Sequence, residues 1–313
     1  MPDKTVLAFL APGQGSQTPG MLAEWLELPR AAERIAAWSE ISGLDLARLG
    51  TTATAEEITD TAVTQPLVVA ATLLAYEELV NRSVLAGNED IVAAGHSVGE
   101  IAAYAIAGVI SADEAVSLAA TRGREMAKAC ALEPTGMSAL LGGDEAEVLA
   151  RLEALDLVPA NRNAAGQIVA AGALAALEKL AEDPPARARV RPLATAGAFH
   201  TQYMAPALDE YATVADRVNP SEPAVTLLSN SDGRPVSSAA DAMAKLVAQM
   251  TRPVRWDLCT AGMKELGVTA IVEFPPAGTL TGIAKREMKG TPAYPVKAPA
   301  DLDGLAEVLR ADR

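Results

Sequence analysis

The chain has 313 residues, half of them hydrophobic, and carries a formal net charge of −14 at pH 7. This length can bury a large core, either as one domain or as one domain with an insert. The negative charge argues against nucleic acid or an anionic membrane surface as a partner. No apolar run approaches the length needed to span a bilayer, and the stretch 6–10 is too short for the core of a signal peptide. We therefore expect a cytoplasmic protein with no membrane partner.

Cysteine and histidine are too scarce to build a metal site. Cys130 and Cys259 show no ligand spacing, and His96 and His200 lie far apart in the sequence. We expect no metal and no disulfide, with both thiols reduced and packed in the interior.

The first ninety residues alternate apolar strands with helices. Apolar spacing predicts a strand over 5–11, helical segments between 21 and 60, and a long helix from Pro66 to about Leu79. The loop 12–17 contains two glycines, and its backbone N–H groups suit a ligand site at the carboxyl edge of a sheet. A phosphate- or dinucleotide-binding loop is the alternative, but the third glycine and a Gly-Lys-Ser/Thr sequence are both missing.

A strand predicted over 91–94 runs into Gly95-His96-Ser97-Val98-Gly99, and a helix is predicted over 100–107. This order matches the Gly-x-Ser-x-Gly nucleophile elbow, in which the serine lies on a sharp strand-to-helix turn. The first N–H groups of the helix would then face the group that the serine attacks. An ordinary glycine-rich turn with a capping serine is the alternative, and the flanking strand and helix favour the elbow.

The middle of the chain predicts a small subdomain. A capping box at Ser111–Glu114 opens a helix over 115–129. A βαββαβ order follows, which is the ferredoxin-like arrangement. Its elements are a strand over 137–142, a helix over 144–155, strands over 158–163 and 167–171, a helix over 174–181 and a strand over 187–193.

The remaining residues return to the α/β pattern. Helices are predicted over 202–218, over 243–250, before 266 and from 279, with strands over 225–228 and 270–274. The prediction is therefore an α/β fold. Its large catalytic subdomain, residues 1–132 and 197–313, is an α/β-hydrolase-like body with a mainly parallel sheet. Residues 133–196 form the inserted ferredoxin-like subdomain.

A serine hydroxyl needs a base to become a nucleophile. His96 adjoins Ser97 on a tight turn and cannot readily place its imidazole on the serine oxygen. His200 follows a strand, so the carboxyl edge of the sheet would bring it to the elbow, and we predict it to be the general base and acid. An ordinary loop histidine is the alternative. No Asp or Glu is an obvious third member, but a backbone carbonyl could orient the imidazole.

Arg122 is the candidate for binding an anionic group. A buried guanidinium can give two parallel hydrogen bonds to a carboxylate. Helical arginines are usually solvated or ion-paired, so the residue by itself favours a solvated or ion-paired arginine over an anion-binding one.

Six motifs in this order carry a resemblance over nearly the whole chain. They are Pro-Gly-Gln-Gly-Ser-Gln, Thr-Gln-Pro, Gly-His-Ser-Val-Gly-Glu, Thr-Arg-Gly-Arg, Ala-Phe-His and Pro-Val-Arg-Trp. With them the sequence resembles malonyl-CoA:acyl carrier protein transacylases, the acyltransferases of type II fatty acid synthesis, which are related to polyketide synthase acyltransferase domains.

The resemblance implies a role for each matching residue. Ser97 would carry the malonyl group as an ester, and His200 would activate it. The N–H groups of Val98 and Gln14 would form the oxyanion hole, and Arg122 would bind the free malonyl carboxylate.

Four further residues match less certain positions. The main-chain carbonyl at Gln249 or a close neighbour would hold the histidine, and Gln65 and Asn163 would line the pocket. Phe199 matches the malonyl-selective form, since methylmalonyl-selective relatives have a serine there. Arg252 departs from the Asn or Ser that relatives often have, which leaves the partner of the histidine open.

The implied partners are malonyl-CoA and holo acyl carrier protein, in a ping-pong reaction that needs no cofactor beyond these substrates. We expect a monomer that serves fatty acid synthesis, polyketide synthesis or both. Acyl carrier proteins are acidic, so a local basic patch must dock them, although a charge run is more often a solvated surface. The candidates are Arg187, Arg189 and Arg191, and Lys285, Arg286 and Lys289. A serine esterase or thioesterase and a non-catalytic carrier-protein scaffold are the rival functions.

Overall fold

The computed structural model describes residues 5–85 and 89–311. Within these ranges the strands are β1 (Val6–Ala11), β2 (Asp90–Gly95), β3 (Thr135–Gly142), β4 (Val158–Ala164), β5 (Gln167–Ala173), β6 (Ala188–Pro192), β7 (Thr226–Leu227), β8 (Ala270–Glu273) and β9 (Ala293–Pro295). The α-helices are α1 (Ala31–Ser42), α2 (Leu46–Thr51), α3 (Thr61–Asn81), α4 (Gly99–Ile106), α5 (Ala112–Cys130), α6 (Glu145–Ala154), α7 (Leu174–Glu182), α8 (Leu208–Ala215), α9 (Ala239–Ala248), α10 (Trp256–Glu265), α11 (Thr279–Glu287) and α12 (Pro299–Ala311).

The larger sheet is parallel, with the first strand of the chain at its centre. Its order is β7-β2-β1-β8-β9, and each neighbouring pair runs parallel. The carboxyl ends of the strands therefore meet at one edge, where ligands bind in open α/β sheets.

Alternate residues of β1 enter two apolar clusters on opposite faces of this sheet. Leu7 and Phe9 pack into one cluster, and Ala8 and Leu10 pack into the other. All four side chains are buried, because a central strand with helices on both faces has no solvent-facing side.

The smaller sheet is antiparallel and separate, with the order β4-β5-β3-β6. Helices α6 and α7 cover it around an apolar cluster that includes Leu152 and Leu180. The chain thus has a mixed α/β fold with one parallel and one antiparallel sheet, as predicted at this level.

Backbone hydrogen bonds join the two parts. The N–H of Val254, which precedes α10, donates to the carbonyl of Ala160 at 2.8 Å, and the N–H of Arg162 donates to the carbonyl of Val254 at 2.9 Å. The outer edge of β4 therefore pairs with a segment that belongs to the parallel-sheet part of the chain.

Two predicted elements were wrong in detail, and two observed elements had not been predicted. Helix α3 begins at Thr61 and not at Pro66, because the side chain of Asp60 caps it by accepting the N–H of Ala62. The single helix predicted over 202–218 is a 3-10 segment, Gln202–Ala207, followed by α8, since Pro206 cannot donate an intrahelical hydrogen bond. Strand β9 and helix α12 were not predicted.

Helix α3 also corrects the statement that no apolar stretch approaches bilayer-spanning length. It has 21 residues with a mean hydropathy of 1.3 in its most apolar window, so by length and composition alone it could span a bilayer. That window is 72% buried inside the protein, as expected of a core helix.

Candidate active site

Ser97 lies on the sharp turn between β2 and α4. Its φ of 54° is in the left-handed region, which non-glycine residues occupy mainly at strained functional positions. A Cβ atom on Gly95 would lie 2.0 Å from the carbonyl oxygen of Gly99, and one on Gly99 would lie 2.2 Å from the carbonyl oxygen of Ala11. Both glycines are therefore required for the turn to pack this tightly.

His200 faces the serine from the segment that precedes α8. Its Nε2 lies 2.7 Å from Ser97 Oγ, and its Nδ1 lies 2.8 Å from the main-chain oxygen of Gln249. A carbonyl only accepts, so Nδ1 carries the proton and Nε2 presents its lone pair to the hydroxyl. The partner of the histidine is thus the Gln249 carbonyl, while the side chain of Arg252 is exposed.

The imidazole of His200 is neutral at neutral pH. The side chain is 2% exposed, and burial, assisted by the positive charge of Arg122, lowers its pKa to about 3. A neutral imidazole can accept the serine proton, which is the first requirement of a general base.

Arg122, on α5, is 1% exposed and points its guanidinium at the same serine. Its Nη1 donates to Gln65 Oε1 at 2.7 Å, its Nη2 donates to Gln249 Oε1 at 2.9 Å, and Nη2 lies 3.4 Å from Ser97 Oγ. Burial lowers the pKa of Arg122. Across residues 5–85 and 89–311 the guanidinium forms no ion pair, so an anionic substrate group can become its counter-charge.

Asn230 and Glu100 complete the polar cluster under the serine, and sequence analysis missed both. Asn230 Oδ1 accepts the N–H of Ser97 at 2.9 Å, and its Nδ2 donates to the carbonyl of Gly95 at 2.7 Å. Glu100 is 1% exposed, and burial raises its pKa to about 7. The available signals were a glutamate directly after the elbow and an asparagine in a stretch with the composition of a turn.

The remaining predicted residues lie in different places around this centre. Val98 is fully buried at the start of α4. The side chain of Gln14 donates to Thr61 Oγ1 at 3.2 Å. Asn163 contacts His96 and not the serine, with 2.8 Å between Asn163 Oδ1 and His96 Nε2.

Phe199 is 6% exposed and packs in the main apolar cluster, next in sequence to the predicted base. The structure therefore brings Ser97, His200, Arg122, Gln65 and Gln249 into one connected set.

Other predictions concern groups away from the serine. Among the described residues, no group of three His, Cys, Asp or Glu side chains is arranged to hold a metal ion. Cys130 and Cys259 are free thiols, and burial raises the pKa of Cys130 to about 11. The six candidate docking cations are exposed, and Arg286 also donates to Gln167 Oε1 at 2.7 Å.

The fold and this serine–histidine centre are those of an acyl transferase. The chain belongs to the acyl transferase domain family, whose model matches residues 8–300. This result confirms the class indicated by the six motifs.

Individual proteins and solved structures are also similar to this chain over nearly its whole length. The malonyl CoA-acyl carrier protein transacylase of Mycolicibacterium smegmatis is 76% identical over 292 residues, covering 92% of this chain and 100% of the relative. The crystal structure of MCAT from Mycobacterium tuberculosis superposes with a TM-score of 0.94 at 73% identity, covering 96% of this chain and 99% of that one. A malonyl-transacylase solved with its type II PKS acyl-carrier protein in the holo form has a TM-score of 0.91 at 30% identity, covering 97% and 100%.

Proposed function

We propose that the protein transfers a malonyl group from malonyl-CoA to the phosphopantetheine thiol of acyl carrier protein through an ester on Ser97. The observation that carries this proposal is the 2.7 Å contact between Ser97 Oγ and His200 Nε2, with the Arg122 guanidinium 3.4 Å from the same oxygen. The names of the relatives support both substrates. The product would supply fatty acid synthesis, polyketide synthesis or both.

The first half-reaction loads the enzyme. His200 Nε2 takes the proton of Ser97 Oγ as the oxygen attacks the thioester carbonyl of malonyl-CoA. The N–H groups of Val98 and Gln14 stabilise the oxyanion. When the C–S bond breaks, the imidazolium returns its proton to the departing CoA thiolate.

The second half-reaction reverses these steps with a different thiol. The phosphopantetheine thiol of the carrier protein gives its proton to His200, and its sulfur attacks the malonyl ester. Ser97 leaves as the alkoxide and is reprotonated by the imidazolium. Because His200 acts as base and acid in both halves, one histidine is sufficient for the complete cycle.

Arg122 binds the free carboxylate of the malonyl group, and this binding also affects the base. The guanidinium charge is one cause of the low pKa of His200. A bound carboxylate offsets that charge, so the pKa of His200 rises when malonyl-CoA is present. The substrate thereby makes the imidazole a better proton acceptor, which an acetyl group cannot do.

Several finer features belong to the same proposal. Phe199 favours malonyl over methylmalonyl groups, Gln65 and Asn163 line the acyl pocket, and no cofactor is used. The larger part is α/β-hydrolase-like and the smaller part is ferredoxin-like. The strand order β4-β5-β3-β6 with α6 and α7 supports the second description. The subdomain boundaries, the cytoplasmic location, the monomeric state and the two basic docking patches stay predictions.

Intact-protein mass spectrometry after brief mixing with malonyl-CoA tests the proposal. We expect a malonyl-sized mass increase on the wild type, none on Ser97→Ala, and discharge of the adduct by holo acyl carrier protein. Free malonate without an adduct would identify a hydrolase instead. An unmodified enzyme that binds the carrier protein but never turns over would identify a scaffold.

A further inference from the structure

Glu100 is a buried carboxylate that the proposed reaction does not use. It is the second residue of α4, directly behind the nucleophile turn, and it is 1% exposed. Its Oε1 accepts the N–H of Asn230 at 2.7 Å, and its Oε2 accepts Nε2 of Gln249 at 2.6 Å. Both donors are uncharged amides. Since a buried carboxylate is costly without a cation beside it, its position calls for a physical reason.

The side-chain amide of Gln249 links this carboxylate to Arg122. Its Oε1 accepts from Arg122 Nη2 at 2.9 Å, while its Nε2 donates to Glu100 Oε2. Rotating the amide by half a turn would set Nε2 against the guanidinium, donor to donor, and Oε1 against the carboxylate, acceptor to acceptor. The guanidinium of Arg122 and the accepting oxygen of Glu100 therefore favour one orientation of the amide between them.

Gln249 also contacts the histidine and the serine. Its main-chain oxygen accepts Nδ1 of His200 at 2.8 Å, and its Nε2 lies 3.0 Å from the carbonyl oxygen of Ser97. One residue thus contacts the candidate base, the nucleophile and the candidate carboxylate-binding group. Glu100 is the acidic side chain that accepts from its amide nitrogen.

We propose that Glu100 is a positioning residue that holds the Gln249 amide so that its oxygen faces Arg122, and thereby sets the selectivity for an acyl group with a free carboxylate. This inference rests on the proposed function, in which Arg122 binds that carboxylate.

The test is Glu100→Gln, measured as the rate of acyl-enzyme formation with malonyl-CoA and with acetyl-CoA. A glutamine can accept the Asn230 N–H only by turning its own NH₂ toward Gln249, which drives the Gln249 amide to the opposite orientation. Loss of one hydrogen bond to a charged group corresponds to about a tenfold effect. We therefore expect the malonyl rate to fall about tenfold more than the acetyl rate.

Glu273→Gln is the matched control. Glu273 is also fully buried in the larger part of the chain, but it accepts the N–H groups of Gly278, Leu280 and Thr281 at the start of α11. This variant removes a buried carboxylate without touching Arg122 or Gln249. Its malonyl-to-acetyl ratio should equal that of the wild type, even if its stability falls.

Equal losses with both substrates in Glu100→Gln would overturn the proposal, because they would show only a structural role. If Glu100→Gln does not fold, Glu100→Asp carries the test, since the shorter carboxylate cannot reach both amides. A smaller loss of the ratio is then expected, and an unchanged ratio overturns the inference. A wild type that is never malonylated would refute the proposed function itself, which is a different result.

Discussion

The two sheets bury very different groups. Beneath the carboxyl edge of the parallel sheet lie polar or charged side chains that are at most 5% exposed, among them Glu100, Arg122, His200 and Gln249. The cluster under the antiparallel sheet consists of aliphatic side chains such as Leu140, Leu152 and Ile168. Apolar burial stabilises a fold directly, whereas a buried charged group must first recover the cost of its desolvation. The first region therefore serves chemistry at a cost in stability, and the second supplies stability.

His200→Ala should give the largest effect. The variant lacks the imidazole that lies 2.7 Å from Ser97 Oγ and takes its proton, so acyl-enzyme formation should slow by about 10⁴-fold or more. Rapid-quench mass spectrometry with malonyl-CoA measures the rate. A loss below about tenfold would show that another group acts as the base.

Leu152→Ala tests whether the smaller sheet contributes stability without affecting the reaction. Leu152 is fully buried against the antiparallel sheet, and truncating a buried leucine costs about 2–5 kcal/mol. Urea unfolding should show this loss, while the acylation rate of the folded enzyme stays within about twofold of the wild type. A large fall in that rate would mean that the smaller sheet also shapes the site.

Arg122→Ala should separate two substrates. We expect the malonyl rate to fall about 10²-fold, because a charge-assisted hydrogen bond is worth about 1.5–3 kcal/mol, and the acetyl rate to change far less. Arg124→Ala is the control, since Arg124 lies on the same helix but pairs with Glu125 at the surface. Equal losses with both acyl groups would remove the carboxylate-binding role from Arg122.

Acid should destabilise the wild type through His200. Its pKa in the folded state is lowered to about 3, so the unfolded chain binds the proton more readily. The stability contribution is complete above the unfolded pKa and declines as the pH falls toward the folded one, by about 1.4 kcal/mol per pH unit. His200→Gln should lack this decline, and unfolding free energies between pH 7 and 5 test it. Parallel pH curves for the two proteins would contradict the assignment.

The local elements around the elbow could be predicted because they depend on near neighbours. Short segments of the sequence are enough to recognise the glycines flanking Ser97 and the Ser111–Glu114 capping box. The structure confirms the capping box. The predicted order of the smaller sheet's strands and helices also matches the structure, since each element has its own apolar period.

The polar cluster could not be predicted because its partners are distant in the chain. Asn230 is 133 residues from Ser97 in sequence, and it lies in a stretch with the composition of an ordinary turn. The contact between Asn163 and His96 was not predicted either, because the register of β4 decides which way each side chain points. The periodicity of a sequence does not reveal which side chains on different elements contact each other.

The pairing of β4 with Val254 has a consequence for self-association. An open strand edge is a template for pairing with another chain. One outer edge of the smaller sheet is already occupied by the protein's own backbone at residues 160–162. The opposite edge is β6, where Arg189 and Arg191 are exposed, and charged side chains are a common defence of such edges. Excising the smaller sheet as an independent unit would uncover β4 and remove one of these two safeguards against aggregation.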